Sequence, residues 1–394
     1  MSLSREIAIV GAARTPMGAF QGAFASLSAP RLGAVAIKAA LERAGVRPEL
    51  VNEVFMGCVL QGGVGQAPAR QAALFAGLPE SVPASTVNKV CGSGLKAIIS
   101  GAQAILAGDA EVIVAGGMES MTNAPYFTSA MRGGARMGNT ELTDLMIHDG
   151  LWDPYSNQHM GMCAELCAST QDISREAQDA YAVESTRRAI EAQRSGAFKA
   201  EIAPVSVPQK KGDALVVSED EGPKNAKLDK IPGLKPAFKK DGTVTAANAS
   251  SLNDGAAALV LTTPERAKKE GWSVLGRLTG WGHAARKPVE FTIAPNDAIR
   301  NALKASNLQT TDIDLWEINE AFAVVALANN KLLGLEHDNV NVRGGALVLG
   351  HPIGASGARL AVTLLYAMKD LGKRRGVASL CIGGGEGIAG IFER

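Results

Sequence analysis

The chain is 394 residues long, with 46% hydrophobic, 20% charged and 5% aromatic residues. That length exceeds one ordinary core and calls for two or three packed units, and the apolar fraction excludes the disordered and fibrous classes. With 40 basic and 39 acidic residues the net charge is +1, so no whole-chain field favours nucleic acid or an anionic membrane, and a binding patch has to be local.

Five unclustered cysteines argue against a disulfide scaffold and for a reducing compartment, so each thiol is either buried filler or a reactive group. No apolar run approaches the roughly 20 residues of a membrane span. The opening MSLSREIAIVGAARTP enters a strand pattern with no signal or transit segment. The expectation is a soluble, cytoplasmic protein.

In chain order, IAIV (7–10), VFMGCVL (54–60), VIVAGG (112–117) and LVLTT (259–263) are short, rich in β-branched residues and bounded by glycine or turn residues, as buried strands are. Between them LGAVAIKAALERAG (32–45) and GLKAIISGAQAILAG (94–108) read as helices ending at glycine. Alternating strands and helices predict an α/β fold with parallel layers. The second half repeats this order. AIKAALERAGV from Ala36 lines up with AIRNALKASNL from Ala298, 262 positions later, and each is followed by a strand-like run, VNEVFMG or IDLWEIN. Ser93-Gly94 aligns with Ser356-Gly357, and VIVAGG with SLCIGG (379–384). Two copies of one α/β unit about a pseudo-twofold axis are expected.

The repeat also exposes an excursion. Gly385 is followed at once by EGIAGIFE, whereas after Gly117 the matching DGAAALVL waits until Asp254. The expected units are residues 1–120 with 251–273 as the first half, 121–250 as an inserted loop domain, and 274–394 as the second half. The insert holds HMGMCAELC (159–167), an amphipathic helix from Ser174 to Arg194, and a stretch from Lys199 to Lys240 with nine lysines and six acids. It reads as a lid or substrate-binding region rather than another sheet, and the lysine-rich stretch as a solvated loop able to attract a phosphorylated ligand.

Cys91 follows the extended run STVNKV and precedes a helix with a glycine-rich first turn. There, free backbone donors and the positive helix end are expected to lower its pKa and favour the thiolate. An isolated cysteine in such a turn is more often small buried filler. His351 shifts that balance: it lies in GGALVLGHPIGASG, on the loop that the repeat equates with the cysteine loop, which suggests a Cys and His pair for thiolate activation. Cys381 ends VASLC before three glycines that permit close approach of a ligand, or is simple packing. Asn319, in LWEINEAFA, is either a helix cap or the holder of a water facing a substrate. Cys58, Cys163 and Cys167 read as core, and no zinc, dinucleotide, P-loop or G-x-S-x-G pattern occurs.

NKVCGSGLKA around Cys91, NEAFA from Asn319, GGALVLGHPIGASG around His351 and CIGGGEG from Cys381 together resemble the thiolase family over essentially the whole chain, nearest to its short-chain biosynthetic type. The resemblance implies the thiolase-like duplicated α/β/α/β/α layered fold. It also implies a reversible, ping-pong acyl transfer joining two acetyl-CoA into acetoacetyl-CoA and CoA. Cys91 would carry the acyl thioester, His351 would accept its proton, and Cys381 would exchange an α-proton with the second acetyl-CoA. The enolate oxygen would meet His351 and a water held by Asn319, and the acyl-enzyme oxyanion the N–H groups of Cys91 and Gly383. Implied coenzyme A contacts are Leu151, His159, Met160, Ser250, Ala321 and Phe322, with Phe238 near the adenine, Lys224 on a phosphate and Phe291 lining the acyl pocket. Pro223 departs from the pattern at a place where relatives hold potassium, and no metal is expected. Phenylalanine at 291 keeps 2-methylacetoacetyl-CoA among the possible substrates. Alternatives are a broad 3-ketoacyl-CoA thiolase of fatty-acid degradation and a non-catalytic acyl-CoA-binding protein. The partners implied are acetyl-CoA, acetoacetyl-CoA and CoA as substrates, no cofactor beyond these thioesters, and further copies of the chain in a homotetramer (a dimer of dimers) with contacts from the insert.

Overall fold

A computed structural model describes residues 6–394, so the expected absence of a leader falls partly on residues outside the described ones. Nine main strands run β1 (Ile7–Arg14), β2 (Glu53–Gly57), β3 (Ala84–Val87), β4 (Val112–Ser120), β5 (Asn253–Thr262), β6 (Gly276–Ala285), β7 (Leu315–Ile318), β8 (Arg375–Ile382) and β9 (Glu386–Glu393). They lie in the order β7-β8-β9-β6-β1-β5-β4-β2-β3 in one sheet. β1, β4 and β5 are buried along their whole length, which explains why they read as continuous apolar runs rather than alternating ones.

The duplication is visible strand by strand. In the first half β1 pairs antiparallel with β5, β5 antiparallel with β4, and β4 and then β3 run parallel to β2. In the second, β6 pairs antiparallel with β9, β9 antiparallel with β8, and β8 parallel with β7. The place of β3 is taken by a single parallel bridge from Trp316 to Val340. The halves join edge to edge through β1 and β6, with Ile7 opposite Leu278 and Ile9 opposite Gly276.

The main helices are α1 (Ala29–Ala44), α2 (Pro68–Phe75), α3 (Ser93–Ala107), α4 (Met160–Thr170), α5 (Arg175–Arg194), α6 (Ala294–Ala305), α7 (Ala323–Leu333) and α8 (Ser356–Asp370). α3 and α8 pack on each other and on strands of both halves, forming the central layer, with Leu95, Ile98, Leu360, Leu364, Leu380 and Ile388 in one core. α1 and α2 cover the first half outside and α6 the second, which gives the expected α/β/α/β/α layering. The amino ends of α3 and α8 touch. A Cβ at Gly94 would lie 2.7 Å from the Ala358 nitrogen, and one at Gly357 would lie 2.4 Å from the Leu95 nitrogen, a reciprocal contact that only glycine permits. Val90–Ala107, 18 residues with a mean hydropathy of 1.4, is long and apolar enough to cross a membrane, contrary to the reading of the sequence. More than half of it is buried, because α3 is the inner layer.

The excursion contributes α4, α5 and short paired strands rather than a further main sheet. The Ser174 hydroxyl caps α5 by accepting the Ala177 N–H at 3.2 Å. The stretch read as solvated is anchored more firmly than its composition suggests. Two of its acids, Glu201 and Asp220, are fully buried and hold the buried Arg14 of β1 at 2.6 and 2.7 Å. Glu201 also accepts the Thr363 hydroxyl at 3.0 Å and faces Arg343 at 3.6 Å, so it ties the insert to both halves. Removing one partner of such a group leaves buried charge uncompensated, at a cost of about 3–5 kcal/mol. Arg14→Ala is therefore expected to lower the urea midpoint strongly, whereas an unchanged midpoint would show that the cluster does not fasten the insert.

Candidate active site

Between β3 and α3 the chain reverses over residues 88–92. Val90 has φ 44, the left-handed region, which a β-branched residue occupies at a cost of about 1–3 kcal/mol. Local hydrogen bonds offset this. Asn88 Oδ1 accepts the Val90 N–H at 3.0 Å, and Ser93 Oγ accepts the Lys89 N–H at 2.8 Å and donates to the Val90 carbonyl at 2.6 Å. Gly92 leaves room for Ile382, whose Cδ1 would lie 2.5 Å from any Cβ. The turn exposes part of Cys91 to a cavity and sets its sulfur against two backbone donors, the N–H groups of Gly383 and of Cys91 itself.

The sequence led us to expect a lowered Cys91 pKa, and the structure corrects this. The donors do favour the thiolate, but burial outweighs them and, with the nearby Glu119 carboxylate, pushes the thiol up to about 11. Cys91 rests as a neutral thiol and needs a base.

His351 supplies one. Its Nδ1 lies 2.6 Å from Ser356 Oγ, and that hydroxyl donates its one proton to the Pro352 carbonyl at 2.9 Å. Nδ1 must then be the donor to Ser356, which leaves the lone pair on Nε2, a buried atom without a protein partner on a residue that lines the cavity with Cys91. Burial first, and the Arg359 charge second, lower the imidazole to about 3, so it is neutral at physiological pH. Asn319, at the end of β7, brings Nδ2 within 3.5 Å of His351 Nδ1, and its Oδ1 is buried without a protein partner. Cys381 is fully buried at the end of β8, where burial, then the neighbouring Cys91 thiol, hold its pKa well above the ordinary value.

A largely apolar cavity of about 480 Å³ opens over Cys91 and His351, and Asn319 does not line it. Cys91, His351 and Gly383 line it together with Leu151, His159, Met160, Phe238, Ser250, Phe291, Ala321 and Phe322, so the structure gathers these sequence-predicted residues at one place. Cys381 lies behind this wall, packed in the cluster of Met160, Phe291, Ala321 and Phe322. His159 stacks on Phe238 with ring centroids 4.8 Å apart, a contact made possible by Gly161, where a Cβ would meet the Phe238 ring at 2.3 Å. Lys224 is not brought to the cavity. It is exposed on a short helix, Glu221–Asn225, whose acidic side turns inward: Asp220 holds Arg14, and Glu221 accepts the N–H groups of Ala19 and Ala23. Lys227 and Lys230 instead line an adjoining cleft that shares Ala246 and Ser251 with the cavity.

Two family models match the chain, the thiolase amino-terminal domain over residues 7–265 and the thiolase carboxy-terminal domain over residues 272–394. The chain belongs to the thiolase family. It is 51% identical over 393 residues to an acetyl-CoA acetyltransferase of Schizosaccharomyces pombe, covering 100% of both chains. It is 54% identical over 390 residues to that of Cupriavidus necator, with 99% of each covered. To a cytosolic acetyl-CoA acetyltransferase of Gibberella zeae it is 50% identical over 386 residues, 98% of this chain and 97% of the relative.

In this thiolase-family chain two further residues shape the site that the sequence reading passed over. Ser356, read there only as the counterpart of Ser93 in the repeat, fixes the His351 tautomer; its place five residues after the histidine was the available signal. Glu119 lies inside the otherwise apolar β4 and accepts the N–H groups of Val59 at 3.0 Å, Leu60 at 3.1 Å and Gly354 at 2.8 Å, joining a first-half loop to the His351 loop. Burial raises it to about 7 despite these donors. A charged residue in a wholly buried strand was its signal.

Because the Cys91 pKa is raised, the unreactive thiol prevails below about 11 and the thiolate fraction grows with pH. Alkylation of Cys91 by iodoacetamide, followed by peptide mass, is expected to keep rising past about pH 9. A plateau near neutrality would reveal a resident thiolate and imidazolium pair and contradict this assignment.

Proposed function

We propose that the protein catalyses reversible acetyl transfer between two molecules of acetyl-CoA, forming acetoacetyl-CoA and CoA. The observation that carries this reading is the convergence of two thiols and a neutral imidazole beside one cavity, with the Gly383 N–H on the nucleophilic sulfur. The names of relatives at 51% and 54% identity along the whole chain support the substrate.

In the first half-reaction His351 Nε2 takes the Cys91 proton as the sulfur attacks the acetyl-CoA carbonyl carbon. The oxyanion forms beside the N–H groups of Cys91 and Gly383. The carbon–sulfur bond to CoA then breaks, CoA leaves with a proton from His351, and Cys91 holds the acetyl group as a thioester. In the second, Cys381 first passes its own proton to the neutral His351 and, as a thiolate, removes an α-proton from another acetyl-CoA. The imidazolium Nε2–H of His351, and the Asn319 amide through a bound water, stabilise the enolate oxygen. The enolate carbon attacks the acetyl carbonyl, the new carbon–carbon bond forms, and Cys91 departs as the leaving thiolate and takes the proton held by His351, which returns all three groups to their neutral state. Thiolysis is the same path reversed. Every step is an acyl or proton transfer that these side chains and N–H groups supply, so CoA thioesters are the only small molecules proposed, and no metal or cofactor.

The buried Phe291 and the Met160 and Phe238 side chains narrow the cavity and support short acyl chains over the long ones of a broad 3-ketoacyl-CoA thiolase. The Gibberella zeae relative named as cytosolic supports a cytoplasmic location. The insert exposes Tyr126, Met131, Met137 and Leu142, with Met137 99% exposed, which supports assembly into a homotetramer through this segment.

Incubation with acetyl-CoA and intact-mass analysis tests the roles. Cys91→Ser should gain no acetyl group, and a full mass gain in that variant would refute the nucleophile. Cys381→Ser should still become acetylated at Cys91 but lose condensation by at least about 100-fold, as removal of a general base does. Normal turnover in that variant would refute the base. Thiolysis should favour acetoacetyl-CoA over a long-chain 3-ketoacyl-CoA; equal rates would overturn the short-chain reading.

A further inference from the structure

Lys89 and Glu386 form an ion pair beside the nucleophile that none of these steps uses. The two residues come from different halves of the duplicated fold. Lys89 stands in the Cys91 turn, two residues before the sulfur, next to the left-handed Val90. Glu386 opens β9 opposite Ile382, at the base of the hairpin 383–385 that presents the Gly383 N–H to the Cys91 sulfur. Both turns are irregular: Gly384 and Gly385 have φ of 87 and 90. The Cys91 turn is braced by its own Asn88 and Ser93 hydrogen bonds, and the hairpin by strand pairing on both sides and by the Arg286 N–H on the Gly385 carbonyl at 2.8 Å, while the Lys89–Glu386 pair ties one turn to the other.

We propose that Lys89 and Glu386 are positioning residues whose ion pair fixes the Cys91 turn against the Gly383 hairpin and thereby sets the rate of acyl transfer. Other groups face the same patch. Lys96 and His283 lie near Lys89, but the Lys96 amine is turned along α3 to Gln103 Oε1 at 3.4 Å, and Lys89 is the cation on Glu386. The pair keeps 23% and 39% side-chain exposure, and ion pairs that open to solvent contribute little to folding. Its effect therefore falls on geometry, where a displacement of about 1 Å lowers rates by up to roughly 100-fold.

The inference rests on Cys91 being the acylated thiol, which the unaltered protein tests in the same experiment. Single-turnover acetylation of Cys91 by acetyl-CoA, read by rapid quench and intact mass, is compared with the melting temperature of each variant. Lys89→Met and Glu386→Gln should each acetylate about tenfold more slowly, with KM and melting temperature nearly unchanged. The exchanged pair, Lys89→Glu with Glu386→Lys, should recover most of the rate, and Lys89→Arg should retain it. Single variants at the full rate would overturn the proposal, as would an exchanged pair no faster than the slower single. A raised KM in Lys89→Met with Glu386→Gln unaffected would also overturn it, because Lys89 would then be attracting substrate. If the unaltered protein is not acetylated at Cys91, the parent reading fails and the pair loses its role with it.

Discussion

The contact between the amino ends of α3 and α8 is the constraint on which the rest of the structure depends. Gly94 and Gly357 each stand where a side chain would strike the other helix. Because the helices meet there, the loops that open them, one carrying Cys91 and the other His351, arrive at the same cavity. Edge pairing of β1 with β6 at Ile7–Ile9 and the layered core hold the halves in this relation. The strand ends bearing Asn319 and Cys381 follow from the same twofold relation. One duplicated unit thus delivers non-equivalent groups to one place, with the nucleophile from one copy and the imidazole from the other lining the cavity, and the second thiol packed behind its wall.

Burial then decides how those groups behave. The cavity raises both thiols and lowers the imidazole, so the resting site holds neutral partners rather than a preformed ion pair. Charge develops when a substrate carbonyl lies between the Cys91 sulfur and the Gly383 N–H, where fixed donors in a low-dielectric setting are most effective. Glu119 places a carboxyl near Cys91 that three N–H groups bind, linking the Val59 and His351 loops while its charge disfavours the thiolate.

Much of this was legible in the sequence, for physical reasons. The repeat could be read because both copies bury the same helix faces and strand ends, and Ser93-Gly94 and Ser356-Gly357 recur where the two helices cross. Cys91, His351, Cys381 and Asn319 stand at ends of apolar runs, where an α/β layer gathers its functional groups. Less visible were groups whose role depends on residues far along the chain. Glu201 and Asp220 look like solvated loop acids until Arg14 is found about 200 positions away. Lys224 looked like a phosphate contact by position in a motif, whereas the inward turn of Asp220 and Glu221 faces it outward. The sign of the Cys91 shift was misjudged because a helix end can be read locally but enclosure by the other half cannot.

The most direct measurement is a crystal structure of the protein after soaking in acetyl-CoA. The acetyl group is expected on Cys91 Sγ, with its carbonyl oxygen about 3 Å from the N–H groups of both Cys91 and Gly383 and its methyl group facing Cys381. An acetyl group on another thiol, or a carbonyl turned away from Gly383, would contradict the convergence of the two halves as the origin of the activity.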